Sequence, residues 1–217
     1  MAISPMEVTP PPAQPWRPRV APEPSGVDLA AAEEAARALL TALGCAVDGE
    51  SMAETPRRMV GAYAELLAPR SFDLTTFPND EHYDELVLAR SIPVQSLCEH
   101  HMLPFVGVAH VGYLPGERIV GLSKLARVVE LFARRPQVQE RLTKQVADWL
   151  RENLDPQGVG VVIEAEHSCM TLRGVRAAGA TTVTSTLLGT MRSDSRSRAE
   201  FLALTTGPPS GQGVRRG

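Results

Sequence analysis

Apolar positions recur at helical spacing in two early stretches. Asp28 precedes an alanine- and leucine-rich run from Leu29 to Leu43 that Gly44 closes, which predicts a helix capped by the aspartate and stopped by the glycine. Thr55 and Pro56 open a second, as cap and first helical residue, and Met59, Tyr63, Leu66 and Leu67 then fall on one face. These two helices are expected to pack as a pair. The period then changes. Phe105 to Tyr113 is rich in Val and Gly, partly alternates, and runs into Leu114-Pro115-Gly116-Glu117, the pattern of a strand entering a tight turn, with Ile119 and Val120 beginning the return. From Ser123 an amphipathic pattern (Leu125, Val128, Val129, Phe132) breaks near Pro136 and resumes through Val138, Leu142, Val146 and Trp149, predicting two helices. The β-branched runs Val159 to Ala165 and Thr181 to Leu188 predict two more strands. Strands that cluster after position 85, with helices before and between them, predict an α+β domain: an antiparallel sheet with helices on one face and an N-terminal helical pair.

A chain of 217 residues with 43% hydrophobic content supports one well-cored domain. The stretch Pro5 to Pro24, with Pro10-Pro11-Pro12, Pro15, Pro18 and Pro22, favours an extended solvated chain, so residues 1–25 are expected to be disordered. The Gly- and Pro-rich end predicts a flexible tail over 206–217, leaving 26–205 as the folded domain. A net charge of -3 gives no general attraction to nucleic acid or anionic membrane, so neither is expected as a partner, and a polyanion would need a local basic cluster. The start has no basic segment followed by an apolar run, and no stretch is long enough to span a bilayer; a cytoplasmic location is expected.

Candidate chemistry begins at Cys98-Glu99-His100-His101, answered far along the chain by His167-Ser168-Cys169. Two sulfurs and one imidazole suit a zinc site with one coordination position left for water. Cys98 and His101, three apart in a turn, can reach one ion, and His100 between them must project elsewhere. If 167–169 is strand, His167 and Cys169 share a face. Both spare imidazoles titrate near neutrality and suit proton transfer. Other readings stay open. The chain has three cysteines, so a four-cysteine structural site is impossible, and a three-cysteine one would need Cys45, which reads as a packed thiol. A disulfide between Cys98 and Cys169 would require export, and either histidine could be an ordinary surface residue.

Two further groups follow. Ser123 at a helix start, with Lys124 and Arg127 on one face and Arg173 four residues beyond Cys169, suits a polyphosphate, although a solvated helix face often shows two cations. In Gln139-Glu140, a carboxylate can accept the two parallel N–H groups of a guanine edge, or simply be solvated; composition does not choose.

The strings Ser96-Leu97-Cys98-Glu99-His100-His101, Gly121-Leu122-Ser123-Lys124-Leu125-Ala126-Arg127, Arg135-Pro136-Gln137-Val138-Gln139-Glu140-Arg141-Leu142-Thr143, His167-Ser168-Cys169-Met170 with Arg173-Gly174, and Thr182-Val183-Thr184-Ser185-Thr186 resemble, in order, the type I, zinc-dependent GTP cyclohydrolase family of the tunnelling fold. Thr55-Pro56-Arg57-Arg58 matches an earlier family segment, and the resemblance covers roughly residues 28 to 204. It implies hydrolysis of GTP to 7,8-dihydroneopterin triphosphate and formate, the first step towards folate and other pterins. It implies Cys98, His101 and Cys169 as zinc ligands, zinc-bound hydroxide adding to C8 of the purine, and His167 assisted by His100 supplying protons. It implies Glu140 with Gln139 on the guanine edge, and Ser123, Lys124, Arg127, Arg173 and Arg58 on the triphosphate. It further implies a homodecamer of two face-to-face pentamers with active sites between subunits. A relative that stops at a ring-opened formamide, or a nucleotide-binding scaffold with a structural metal, is the competing reading. A base deaminase is discarded, since the H-x-E and P-C-x-x-C pattern is missing.

Overall fold

The computed structural model describes residues 19–20 and 26–206. Helix α1 (Leu29–Ala42) starts where Asp28, in extended conformation, accepts a hydrogen bond from the Ala31 N–H at 3.0 Å, and it ends ahead of Gly44 at φ 81°. Helix α2 (Thr55–Leu66) begins one residue earlier than expected. Thr55 is already helical, Glu54 occupies the cap, and the Thr55 hydroxyl meets Met52 Sδ at 3.5 Å instead of capping the backbone. The two helices pack on each other, and the Tyr63 hydroxyl donates to the Met102 carbonyl at 3.1 Å, fastening α2 to the turn that ends the next long strand. Cys45, expected to be packed, lies past the end of α1 and is exposed.

Two short antiparallel pairs flank the main sheet: β1 (Arg19–Val20) with β2 (Phe72–Asp73), and β3 (Thr76–Pro78) with β6 (Arg118–Val120). The first pair puts two residues of the segment expected to be disordered into a strand, in the gap between Pro18 and Pro22 where the backbone has N–H groups to donate. The rest of that expectation, and the tail beyond Thr206, lie outside the described residues.

The main sheet has the order β7-β4-β5-β8-β9, built from β4 (Val87–Cys98), β5 (Pro104–Leu114), β7 (Pro136–Gln137), β8 (Gly158–His167) and β9 (Thr181–Gly189). All neighbours are antiparallel except β4 and β7. Strand β4 was not anticipated. Pro93 lies within it, and its register shifts between Ala89 and Ile92 around Ser91, whose φ is 54°, so alternation is broken where a pattern reader needs it.

One face of the sheet buries Val94, Phe105, Ala109, Val111, Tyr113, Val161 and Ile163 against α3 (Leu122–Ala133) and α4 (Gln139–Leu154), which contribute Leu125, Val128, Val129, Leu142, Val146 and Leu150. These are the two helices predicted around Pro136, and with the antiparallel sheet they give the expected α+β class. The structure adds a cover on the opposite face. After β8, the single turn α5 (Ser168–Thr171) and β9, the described residues close with α6 (Thr190–Ser193) and α7 (Ser195–Thr206), whose Phe201 is fully buried with Met191 and Leu114. A Cβ at Gly160 would come within 2.8 Å of both Met191 Sδ and the Phe201 ring, and one at Gly112 within 3.1 Å of Phe201, so the two glycines form the floor on which the ring lies.

Replacing Phe201 by Ala should therefore lower the unfolding free energy by about 3–5 kcal/mol. Leu202→Ala, at a position 37% exposed, should leave it nearly unchanged, as read from urea melts.

Candidate functional site

The turn after β4 is closed at both ends by backbone hydrogen bonds. Cys98 N–H donates to Leu103 O at 2.8 Å and Met102 N–H donates to Cys98 O at 2.8 Å, with Met102 at φ 52°. The Glu99 N–H reaches across to Gln137 O at 3.0 Å, and its carboxylate pairs with Arg141, whose Nε donates to Gln137 Oε1 at 2.9 Å. That pairing holds the Glu99 carboxyl below the usual carboxylate range. Two histidines are thus presented from a braced turn. His101 Nδ1 lies 3.7 Å from Cys98 Sγ and His100 Nδ1 3.9 Å, while His100 remains largely exposed.

Cys169 arrives from the other side. It was expected on a strand, sharing a face with His167; instead His167 closes β8 and Cys169 sits on the helical turn α5. The ligand atoms of Cys98, His101 and Cys169 nevertheless all lie within 4.8 Å of one another. Burial pushes the Cys169 thiol up, and the neighbouring Cys98 pushes it further, since a second thiolate beside the first is disfavoured until a cation neutralises both. Two sulfurs and an imidazole, one sulfur buried and the imidazole exposed, fit a borderline-soft divalent cation reachable from solvent.

His167 closes β8 two residues before Cys169. It pairs in register with Phe105 and its ring stacks on the phenyl at 4.5 Å between centroids, 10° from parallel. Burial lowers its pKa, opposed by the charge of Glu140. Glu140 is exposed at the first turn of α4 and free to meet a ligand. Gln139 is 2% exposed, its amide nitrogen contacts Ile163 O, Thr182 O and Thr184 Oγ1, and its oxygen contacts His167 Nε2 at 2.8 Å. Sequence reasoning did not single out Phe105, Thr143, Thr184 or Arg141. The threonines stand one helical turn after Gln139 and mid-strand in β9, where a buried hydroxyl needs a partner, and that was the available signal.

The polyphosphate candidates divide. Arg173 is exposed just past α5, close enough for its charge to favour the Cys169 thiolate. Arg58 is exposed on α2. Ser123 and Lys124 open α3 directly after β6, and the Val120 N–H donates to the Tyr113 hydroxyl at 3.1 Å. Tyr113 and Phe105 stand at opposite ends of β5, eight residues or roughly 27 Å apart, so within one chain this helix start lies far from the Cys98, His101 and Cys169 group. Arg127 is held by Glu130 at 3.0 Å, and Glu130 also accepts from Nε and Nη2 of Arg70 at 2.5 and 2.9 Å.

Residues 32–206 match the family model for GTP cyclohydrolase I. The chain belongs to the GTP cyclohydrolase I family. A GTP cyclohydrolase 1 of Mycobacteroides abscessus is 55% identical over 82% of this chain and 89% of that one. Those of Thermobifida fusca and Thermoanaerobacter pseudethanolicus are 51% and 50% identical, over 85% and 82% of this chain and 91% and 97% of theirs. Among solved structures, an apo archaeosine synthase QueF-Like covers 48% of this chain at 16% identity with a TM-score of 0.39.

The arginine cluster yields a pH test. Burial raises the Glu130 carboxyl, but Arg70 and Arg127 outweigh it and hold it below the ordinary range. The stabilisation is therefore complete above the unfolded value of about 4.3 and lost as pH falls through the folded one. Glu130→Gln should shrink the drop in thermal midpoint between neutral pH and the acid range relative to the parent.

Proposed function

We propose that the chain hydrolyses GTP with water to 7,8-dihydroneopterin triphosphate and formate, supplying tetrahydrofolate and other pterins. Beyond family membership, the observation that carries this reading is the convergence of Cys98, His101 and Cys169, with His100 at 3.9 Å from Cys98 Sγ and His167 two residues before Cys169. Zinc is the assigned ion, because its preference for thiolate and imidazole matches the set. Bound there it supplies Lewis acidity, bringing the ionisation of water into the neutral range.

The remaining work falls to side chains. Glu140 accepts the paired N–H groups of the guanine edge, which sets the purine C8 beside the metal-ligating group. As water adds to C8, His167 takes a proton and returns it to the departing ring nitrogen, and the exposed His100 assists. A second water then hydrolyses the formamide so that formate leaves, after which the ribose rearranges and the ring recloses with loss of water. Arg173, Arg58, Ser123, Lys124 and Arg127 hold the triphosphate by charge and forked hydrogen bonds.

The distance of Ser123 and Lys124 from the metal-ligating group supports a site shared between subunits, in a homodecamer of two face-to-face pentamers. In that arrangement one subunit supplies the start of α3 and another the turn after β4. Residues 26–205 form the catalytic domain. A cytoplasmic location suits three unpaired cysteines, two of which must stay reduced to ligate. Among the described residues no helix is long and apolar enough to cross a membrane.

Purified protein with zinc and GTP should release formate and a fluorescent pterin, and chelator should abolish both. Cys98→Ser and His101→Ala should lose metal and turnover together, by roughly a thousandfold. A folded, metallated protein that yields neither product would sink the reading.

A further inference from the structure

The surroundings of Gln139 determine which nitrogen of His167 carries hydrogen. Ile163 O and Thr182 O lie 3.0 and 2.8 Å from one end of the Gln139 amide, and both can only accept. That end is therefore the NH2 group, since a flipped amide would set its oxygen against two carbonyls in a buried site. The hydroxyls agree. Thr143 donates its one hydrogen to the Gln139 main-chain carbonyl at 2.7 Å, so in the 2.6 Å contact between Thr143 and Thr184 the donor is Thr184. Thr184 Oγ1 is left with a lone pair towards the amide nitrogen, which stands 3.1 Å away. The other end of the amide is then oxygen, and it faces His167 Nε2 at 2.8 Å. An oxygen there requires a hydrogen on Nε2.

We propose that Gln139 is a positioning residue, in place of the guanine contact its sequence context implied, and that it fixes His167 as the Nε2–H tautomer with Nδ1 as the nitrogen that exchanges protons. This rests on the reading of His167 as the proton-transfer group. In the reaction, Nδ1 takes one proton from the water that adds to C8, giving an imidazolium, and returns that proton to the leaving ring nitrogen. Nε2 keeps its hydrogen on Gln139 throughout. Stacking on Phe105 and the Gln139 bond together define the ring's plane and its rotation, so the lone pair of Nδ1 has one direction.

Solid-state ¹⁵N spectra of histidine-labelled, zinc-loaded full-length protein, compared with His167→Asn, give the tautomer directly. His167 should show a protonated Nε2 and an unprotonated Nδ1; the reverse assignment in the parent protein overturns the proposal, and this measurement needs neither turnover nor a variant of Gln139. Gln139→Met keeps the volume and removes the amide. It should mix the two tautomers and lower kcat about 10- to 100-fold, with zinc content and the calorimetric affinity of metal-stripped protein for GTP unchanged. Weaker GTP binding with kcat retained would instead make Gln139 a guanine contact. Thr184→Val, which removes only a supporting hydroxyl, should change kcat in the same direction by less. Absence of GTP turnover in the parent would defeat the cyclohydrolase reading alone, leaving the tautomer assignment to stand or fall on its spectrum.

Discussion

The register of β5 between its two neighbours is the constraint from which the site follows. Leu97 opposes Pro104 on one side and Phe105 opposes His167 on the other, so β4 and β8, separated by some sixty residues of chain, finish at the same edge of the sheet. Cys98 ends one strand and Cys169 follows the other by a single helical turn. A slip of one residue on either side would exchange the buried and exposed faces of a strand, which the fully buried Phe105, Ala109, Val111 and Tyr113 forbid. The hydrophobic core thus does the positioning, and the ligands inherit its precision.

A second layer is polar. Gln139, Thr143 and Thr184 are linked among themselves and to the carbonyls of two strands, and Gln139 extends the chain to His167. In a buried setting each unmade bond carries the full desolvation cost, so such a network has few alternative arrangements. Arg141 joins Glu99 to Gln137 and steadies the turn bearing the two histidines. One imidazole is held from beneath by α4 and the others by the turn itself. Both supports come from the one segment, residues 136 to 141, that bridges α3 and α4.

Much of this was readable in advance. The capped start of α1 and the helices on either side of Pro136 carry clear helical signals, β5 carries a partly alternating one, and β8 and β9 are legible as short β-branched runs. Strand β4 does not, because a proline and a bulge interrupt it, and α7 presents almost no apolar stripe since only Phe201 and Thr205 are buried. Cys98, His101 and Cys169 were legible as residue types at distinctive spacing. Their meeting depends on sheet register, which no local pattern contains. Gln139 is harder to read for a related reason: an amide beside a carboxylate at a helix start suits a ligand contact, and only the three-dimensional neighbours show the hydrogen bonds it makes within the protein.

The packing beneath α7 bears on how this chain can vary. Gly112, Gly160 and Phe201 share a single volume: the two bare backbones leave the room that the ring fills. A larger residue at either glycine has no space unless the ring shrinks, and a smaller residue at 201 leaves a hole unless a glycine gains a side chain. Effects of substitution at these three sites should be non-additive, so across related sequences they are expected to change as a set, in compensating sizes, or stay as they are.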